Sequence, residues 1–76
     1  STRLASLLLR LDRHGDATGK LDGYTHQYLA DMLGTYRETT TQILNQFKSK
    51  ALIKTGRKTI EILDAEGLEK ISATSE

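Results

Sequence analysis

Arg37, Glu38, Thr41, Gln42 and Asn45 are polar residues at helical spacings within one stretch. At 100° per residue, with Arg37 at zero, they share an arc from 0° to about 140°. The arc offers a guanidinium fork that donates, a carboxylate that accepts, and two amides that do both. Thr40, Ile43, Leu44 and Phe47 fall between about 240° and 340° on the same wheel, so the opposite side is core-forming. The stretch also sits in a block of cations. Residues 37–58 carry Arg37, Lys48, Lys50, Lys54, Arg57 and Lys58 against Glu38 alone, while residues 1–36 balance to zero and residues 59–76 sum to −4. A positive block inside a chain of net charge +1 is the footprint of one face that meets a polyanion.

Other chemistries find little support. Cys is absent, which excludes disulfides, thiolate catalysis and Cys-based zinc sites and is compatible with a reducing, cytoplasmic location. His14 lies in a polar loop and His26 opens a helix; neither has a nearby nucleophile or a second His at ligand spacing. Asp12 and Asp16 form a carboxylate pair on paper, but their loop-edge setting predicts simple solvation. No phosphate-binding or dinucleotide glycine motif is present. No catalytic residue and no metal ligand is therefore expected. The longest apolar run, Leu7 to Leu9, is far short of the ~20 residues of a membrane span. No membrane partner is expected.

The elements that must position the polar arc are legible in the pattern of apolar residues. The chain has 76 residues, enough for one small domain over residues 1–76, whose core must form without metal or disulfide. It opens at Ser1 rather than Met, which suggests an excised or processed piece of a larger protein. Leu4, Leu7, Leu8 and Leu11 mark an amphipathic helix over residues 3–13, stopped by Gly15. The loop after it is expected to hold a short strand near residues 21–24. Thr25 caps a helix over residues 26–33 that buries Leu29, Ala30 and Leu33, and Gly34 ends it. Thr35 and Glu38 match a capping box for the next helix, residues 36–49. Ala51-Leu52-Ile53 leads through the basic turn Thr55-Gly56-Arg57-Lys58 to an alternating strand at residues 59–63, a β-hairpin. Asp64 caps a last helix carrying Leu68 and Ile71, and residues 72–76 read as a loose tail.

The expected fold is mainly α with a small β-hairpin: a winged helix-turn-helix, three-helix core plus wing. A helix of this kind enters the major groove of B-DNA, where Arg37 matches guanine, Glu38 a cytosine amino group, and Gln42 or Asn45 adenine. Thr41 shares that arc. Lys48, Lys54, Arg57 and Lys58 suit phosphates, as does Asn45 at the arc's edge. Tyr24, Tyr28 and Tyr36 are expected to pack with a wet hydroxyl. The competing reading is a protein-interaction winged helix whose polar arc docks on another subunit. The cation block favours DNA.

The run Thr25-His26-Gln27, then Leu29-Ala30, Leu33-Gly34, Arg37-Glu38-Thr39, Leu44, Phe47, Leu52-Ile53, Gly56-Arg57, Ile60, Ile62 and Asp64 resembles the C-terminal DNA-binding domain of the Crp/Fnr transcription regulators. The resemblance covers nearly the whole chain. It implies a sequence-reading winged helix normally fused behind an effector-binding β-roll and a dimerisation helix. Any effector would then bind that N-terminal domain, and no cofactor is expected in this one. It implies base contacts at Arg37 and Glu38, and a position near the phosphate backbone for Thr25, His26, Gln27, Thr39 and Lys58. Double-stranded DNA, as a two-fold symmetric site for the intact dimer, and RNA polymerase are the implied partners; the isolated domain is expected to be a monomer. Two departures stand out. Many family members carry Arg where this chain has Gln42, so the half-site should differ, and they tend to place Ser or Thr where Tyr36 stands, which shifts the expected helix start toward Thr35.

Overall fold

The computed structural model describes residues 2–15 and 18–73. Helix α1 (Thr2–His14) is followed by strand β1 (Lys20–Asp22), helices α2 (His26–Leu33) and α3 (Arg37–Ser49), strands β2 (Ile53–Gly56) and β3 (Thr59–Ile62), and helix α4 (Ala65–Ala73). The leucine stripe on α1 does what its spacing dictates. Leu4, Leu7 and Leu8 are buried with Ala5, and they meet Leu29 of α2, Leu44 and Phe47 of α3 and Leu68 of α4 in one core. Leu33 and Ile43, expected inside, are only half-buried against it.

The end of α2 and the start of α3 decide how the two helices meet. Gly34 takes φ +71°, a left-handed conformation that a residue without Cβ adopts without strain. Its amide donates to Asp31 O at 3.3 Å and the Thr35 amide donates to Ala30 O at 3.0 Å, closing the last carbonyls of α2 in a Schellman pattern. Thr35 is thereby used up as the stop of α2. This overturns the expected Thr35–Glu38 capping box: the N-cap of α3 is Tyr36, extended at φ −91° and ψ 149°, and it makes no side-chain cap bond. The helix starts at Arg37 and the alternative start at Thr35 is excluded.

The wing is larger than a hairpin. Strand order is β1-β3-β2, antiparallel throughout, with Leu21 opposite Ile60 and Ile53 opposite Ile62. Leu21, Ile53 and Ile60 are buried, so the sheet closes one side of the core. The expected strand at residues 21–24 sits one residue earlier and is shorter, because Gly23 turns out of it at φ +84° and its amide donates to Lys58 O at 2.7 Å. Upstream, the Gly19 amide donates to Asp12 Oδ1 at 2.8 Å. Asp12 is thus a loop staple rather than a merely solvated carboxylate; Asp16 lies outside the described residues. The hairpin turn is confined to Arg57 and Lys58, since Gly56 and Thr59 still pair.

Asp64 caps α4 as expected, its Oδ1 accepting from the Gly67 amide at 2.9 Å. The loose tail is corrected in part. Ser72 and Ala73 belong to α4, because Ile71 packs against the core and Ser72 Oγ donates to Glu69 O at 2.9 Å; residues 74–76 lie outside the described residues. The fold is four helices with a small three-stranded antiparallel sheet, α4 lying on α1.

Candidate nucleic-acid interface

Helix α3 is amphipathic in the sense that matters for a reading helix. Thr40 and Leu44 are fully buried and Phe47 nearly so, while Arg37, Glu38, Thr39, Gln42, Asn45 and Lys48 are exposed. Burying the back of the helix fixes its position in the core; apart from Thr41, the front presents donors and acceptors that no side chain among the described residues uses up. None of Arg37, Lys48, Lys50, Lys54, Arg57 and Lys58 forms an ion pair among the described residues. Their charge is therefore available to an external anion.

Thr41 is different from its neighbours on the arc. It is half-buried, and its Oγ1 lies 2.8 Å from His26 Nδ1. Two residues expected at the nucleic acid thus hold α2 and α3 together, leaving Thr41 a reduced hydrogen-bonding capacity for anything else. Thr25 also has an internal partner: its Oγ1 accepts from the Tyr28 amide at 3.1 Å as the N-cap of α2. Gln27 Nε2 donates to Asp31 Oδ1 at 2.9 Å, on an exposed turn of α2. Thr39 is exposed but borders a small groove with Leu33, Thr35 and Ile43, about 200° around α3 from Arg37. The structure therefore does not bring Thr39 onto the Arg37–Gln42 arc.

At the wing, Lys54, Arg57 and Lys58 are exposed, and Lys54 stands opposite Glu61 in the β2–β3 register. Lys58 has φ +57°, a region costly for a residue with a Cβ. Its carbonyl is held by the Gly23 amide, which ties the wing tip to the segment just before α2. Charge counting does not reveal that tie; its one trace in the sequence is Gly23 ahead of the Thr25 cap. Arg3 carries no such trace. Its Nη2 donates to Leu33 O at 2.8 Å, anchoring α1 to the turn between the two helices. Tyr24 packs against the core as expected and the half-exposed Tyr28 stacks on it, whereas Tyr36 departs from expectation at 78% exposed.

Among the described residues no group of three or more His, Asp or Glu could hold a metal ion, and no helix is long and apolar enough to cross a membrane.

A helix closed by a left-handed glycine, a short turn, a second helix with a buried back and bare polar front, and an antiparallel wing behind it define the winged helix-turn-helix class. Residues 2–71 match the Crp-like helix-turn-helix domain, and the chain belongs to that family: it is a DNA-binding domain of the Crp/Fnr transcription regulators. The cyclic AMP receptor protein of Thermus thermophilus is 36% identical over 70 residues, 92% of this chain and 32% of the relative. A Crp/Fnr-family regulator from Eubacterium rectale superposes with a TM-score of 0.89 at 36% identity, over 96% of this chain and 33% of that one. The catabolite activator protein of Thermus thermophilus gives a TM-score of 0.84 at 32% identity, over 93% of this chain and 32% of its own. The chain spans about a third of the length of the proteins it matches.

Proposed function

We propose that this domain reads duplex DNA in a sequence-specific manner by inserting α3 into the major groove. The observation that carries the reading is the division of α3: Thr40, Leu44 and Phe47 are sealed in the core while Arg37, Glu38, Gln42 and Asn45 are exposed on this second helix of a tight helix-turn-helix. Arg37 would donate two bonds to a guanine, Glu38 would accept from a cytosine amino group, and Gln42 would pair with adenine. Thr41 contributes chiefly by orienting α3 through His26, with a base contact as its secondary role. Lys48, Lys54, Arg57 and Lys58, the N-terminal end of α2 at Thr25, His26 and Gln27, and Thr39 and Asn45 of α3 would meet phosphates, which set register without reading sequence.

The intact protein would present two such domains to half-sites about one helical turn apart, so that modest single-domain affinity becomes useful occupancy. RNA polymerase is the further partner of this reading, the location is cytoplasmic, and effector binding belongs outside this domain. No catalytic step is assigned. The test is a titration of the domain with two-fold symmetric duplexes of varied half-site at several salt concentrations. The expected result is a preference among half-sites on top of an affinity that falls steeply with salt. Indifference to sequence at every salt concentration would contradict base reading.

A further inference from the structure

A second exposed surface lies on the outer sides of α1 and α2. Arg3 and Arg10 stand seven residues apart on α1, so they share one side and sit about 10 Å apart along the axis. Arg13 and His14 continue the exposed end of the helix, and Asp12, the acid of α1, is half-buried and taken by the Gly19 amide. The exposed side of α1 carries Arg3, Arg10, Arg13 and His14, with the uncharged Ser6 between the first two. On α2, Tyr28 and Met32 lie one turn apart and are 50% and 43% exposed, Met32 being the one that faces α1. The Tyr28 ring is stacked on Tyr24, with centroids 5.5 Å apart and planes 14° from parallel, which limits its motion. Met32 and Leu33 of α2 and Arg3, Ser6, Leu7 and Arg10 of α1 border a groove of about 350 Å³.

This surface is distinct from the reading face. Tyr28 and Met32 lie about 200° and 240° around α2 from His26, the residue bonded to α3. They remain open when α3 is occupied. Tyr, Met and Arg are the residue types enriched where proteins bind proteins, and a thioether adapts its shape to a partner's side chain. A phosphate backbone would use the arginines and the Tyr28 hydroxyl but gain nothing from exposed Met32. Asp31, beside them, is an exposed acid that accepts from Gln27 Nε2. From this combination we infer that the α1–α2 groove docks an acidic polypeptide segment of a separate protein. An apolar anchor sits beside Met32, and acidic residues face Arg3 and Arg10, while the domain holds DNA.

The probe is a short helical peptide with leucines on one side and glutamates on the other, beside a twin in which every glutamate is replaced by lysine. Amide resonances of the 76-residue chain are followed by two-dimensional NMR, with and without a saturating symmetric duplex. The glutamate peptide is expected to shift Arg10, Tyr28 and Met32 equally well in both conditions. Its affinity should fall about tenfold in Arg10→Glu and in Met32→Ser, since the rim charge steers and the anchor site holds the partner. Both substitutions are at exposed positions, so an unchanged spectrum elsewhere verifies the fold. Equal binding of the lysine twin, no shift at about 1 mM peptide, or shifts confined to α3 and the wing would overturn the inference. So would a duplex, or a rise in protein concentration, that by itself shifts Arg10, Tyr28 and Met32, which would make DNA or a second copy the occupant. A duplex that shifts nothing counts against DNA reading instead and leaves the peptide result to stand separately.

Discussion

His26 Nδ1 and Thr41 Oγ1 lie 2.8 Å apart, and this side-chain bond spans the seam between α2 and the exposed front of α3. A bond of this kind contributes about 1 kcal/mol net, modest for the fold but well placed to hold the angle of a reading helix. A double-mutant cycle of His26→Ala and Thr41→Val in urea denaturation should give a coupling of about 0.5–1 kcal/mol. Additive losses would mean that the two side chains act independently.

Gly34 closes α2 at φ +71°, and a Cβ there would meet nothing within 4 Å. The cost of Gly34→Ala is thus conformational rather than steric, about 1–2 kcal/mol. Gly34→Asn should lose less, because a short amide side chain tolerates the left-handed region. Chemical denaturation of both variants checks the order; a harmless Ala would show that the turn relaxes.

Lys58 sets stability against binding. At φ +57° it carries strain that glycine would relieve, so Lys58→Gly should stabilise the domain by up to about 1 kcal/mol. The same change removes a phosphate-facing charge, and affinity should drop for all sequences alike while the salt slope falls by about one. Thermal unfolding and a salt titration together read both signs. Loss of stability or an unchanged salt slope would contradict the assignment.

Thr40 is fully buried and its Oγ1 has no hydrogen-bond partner among the described residues. An unsatisfied buried hydroxyl costs roughly 1–3 kcal/mol, and valine has nearly the same shape. Thr40→Val is therefore expected to raise the urea midpoint without altering DNA binding. A lower midpoint would reveal a hydrogen bond formed by that hydroxyl in solution.

The helices were legible because apolar period and stop signals agreed: the leucines of α1, the Thr25 cap and the Gly34 stop all occur where the pattern put them. What failed was local competition between neighbouring signals. Thr35 fits both a capping box and the end of α2, and the structure places it at the end of α2, its amide on Ala30 O, with Tyr36 as the N-cap of α3. The third strand was blurred because its three residues contain one apolar side chain, Leu21, and pairing to β3 is a long-range event that no local period records. The exposed reading arc follows from the helical wheel of α3, whereas its anchors do not. Arg3 to Leu33 O and Gly23 to Lys58 O join residues thirty and thirty-five positions apart through main-chain atoms, and main-chain acceptors carry no sequence signature.

The central claim is that α3 reads base edges through Arg37, and binding of the wild-type domain and Arg37→Ala to every single-base variant of a selected half-site tests it most directly. The wild type should favour guanine at one position by about 1–3 kcal/mol, and Arg37→Ala should lose that preference there while keeping the others. An Arg37→Ala domain with the wild-type pattern of preferences, or with uniformly weaker binding and no change at any single position, would contradict the account.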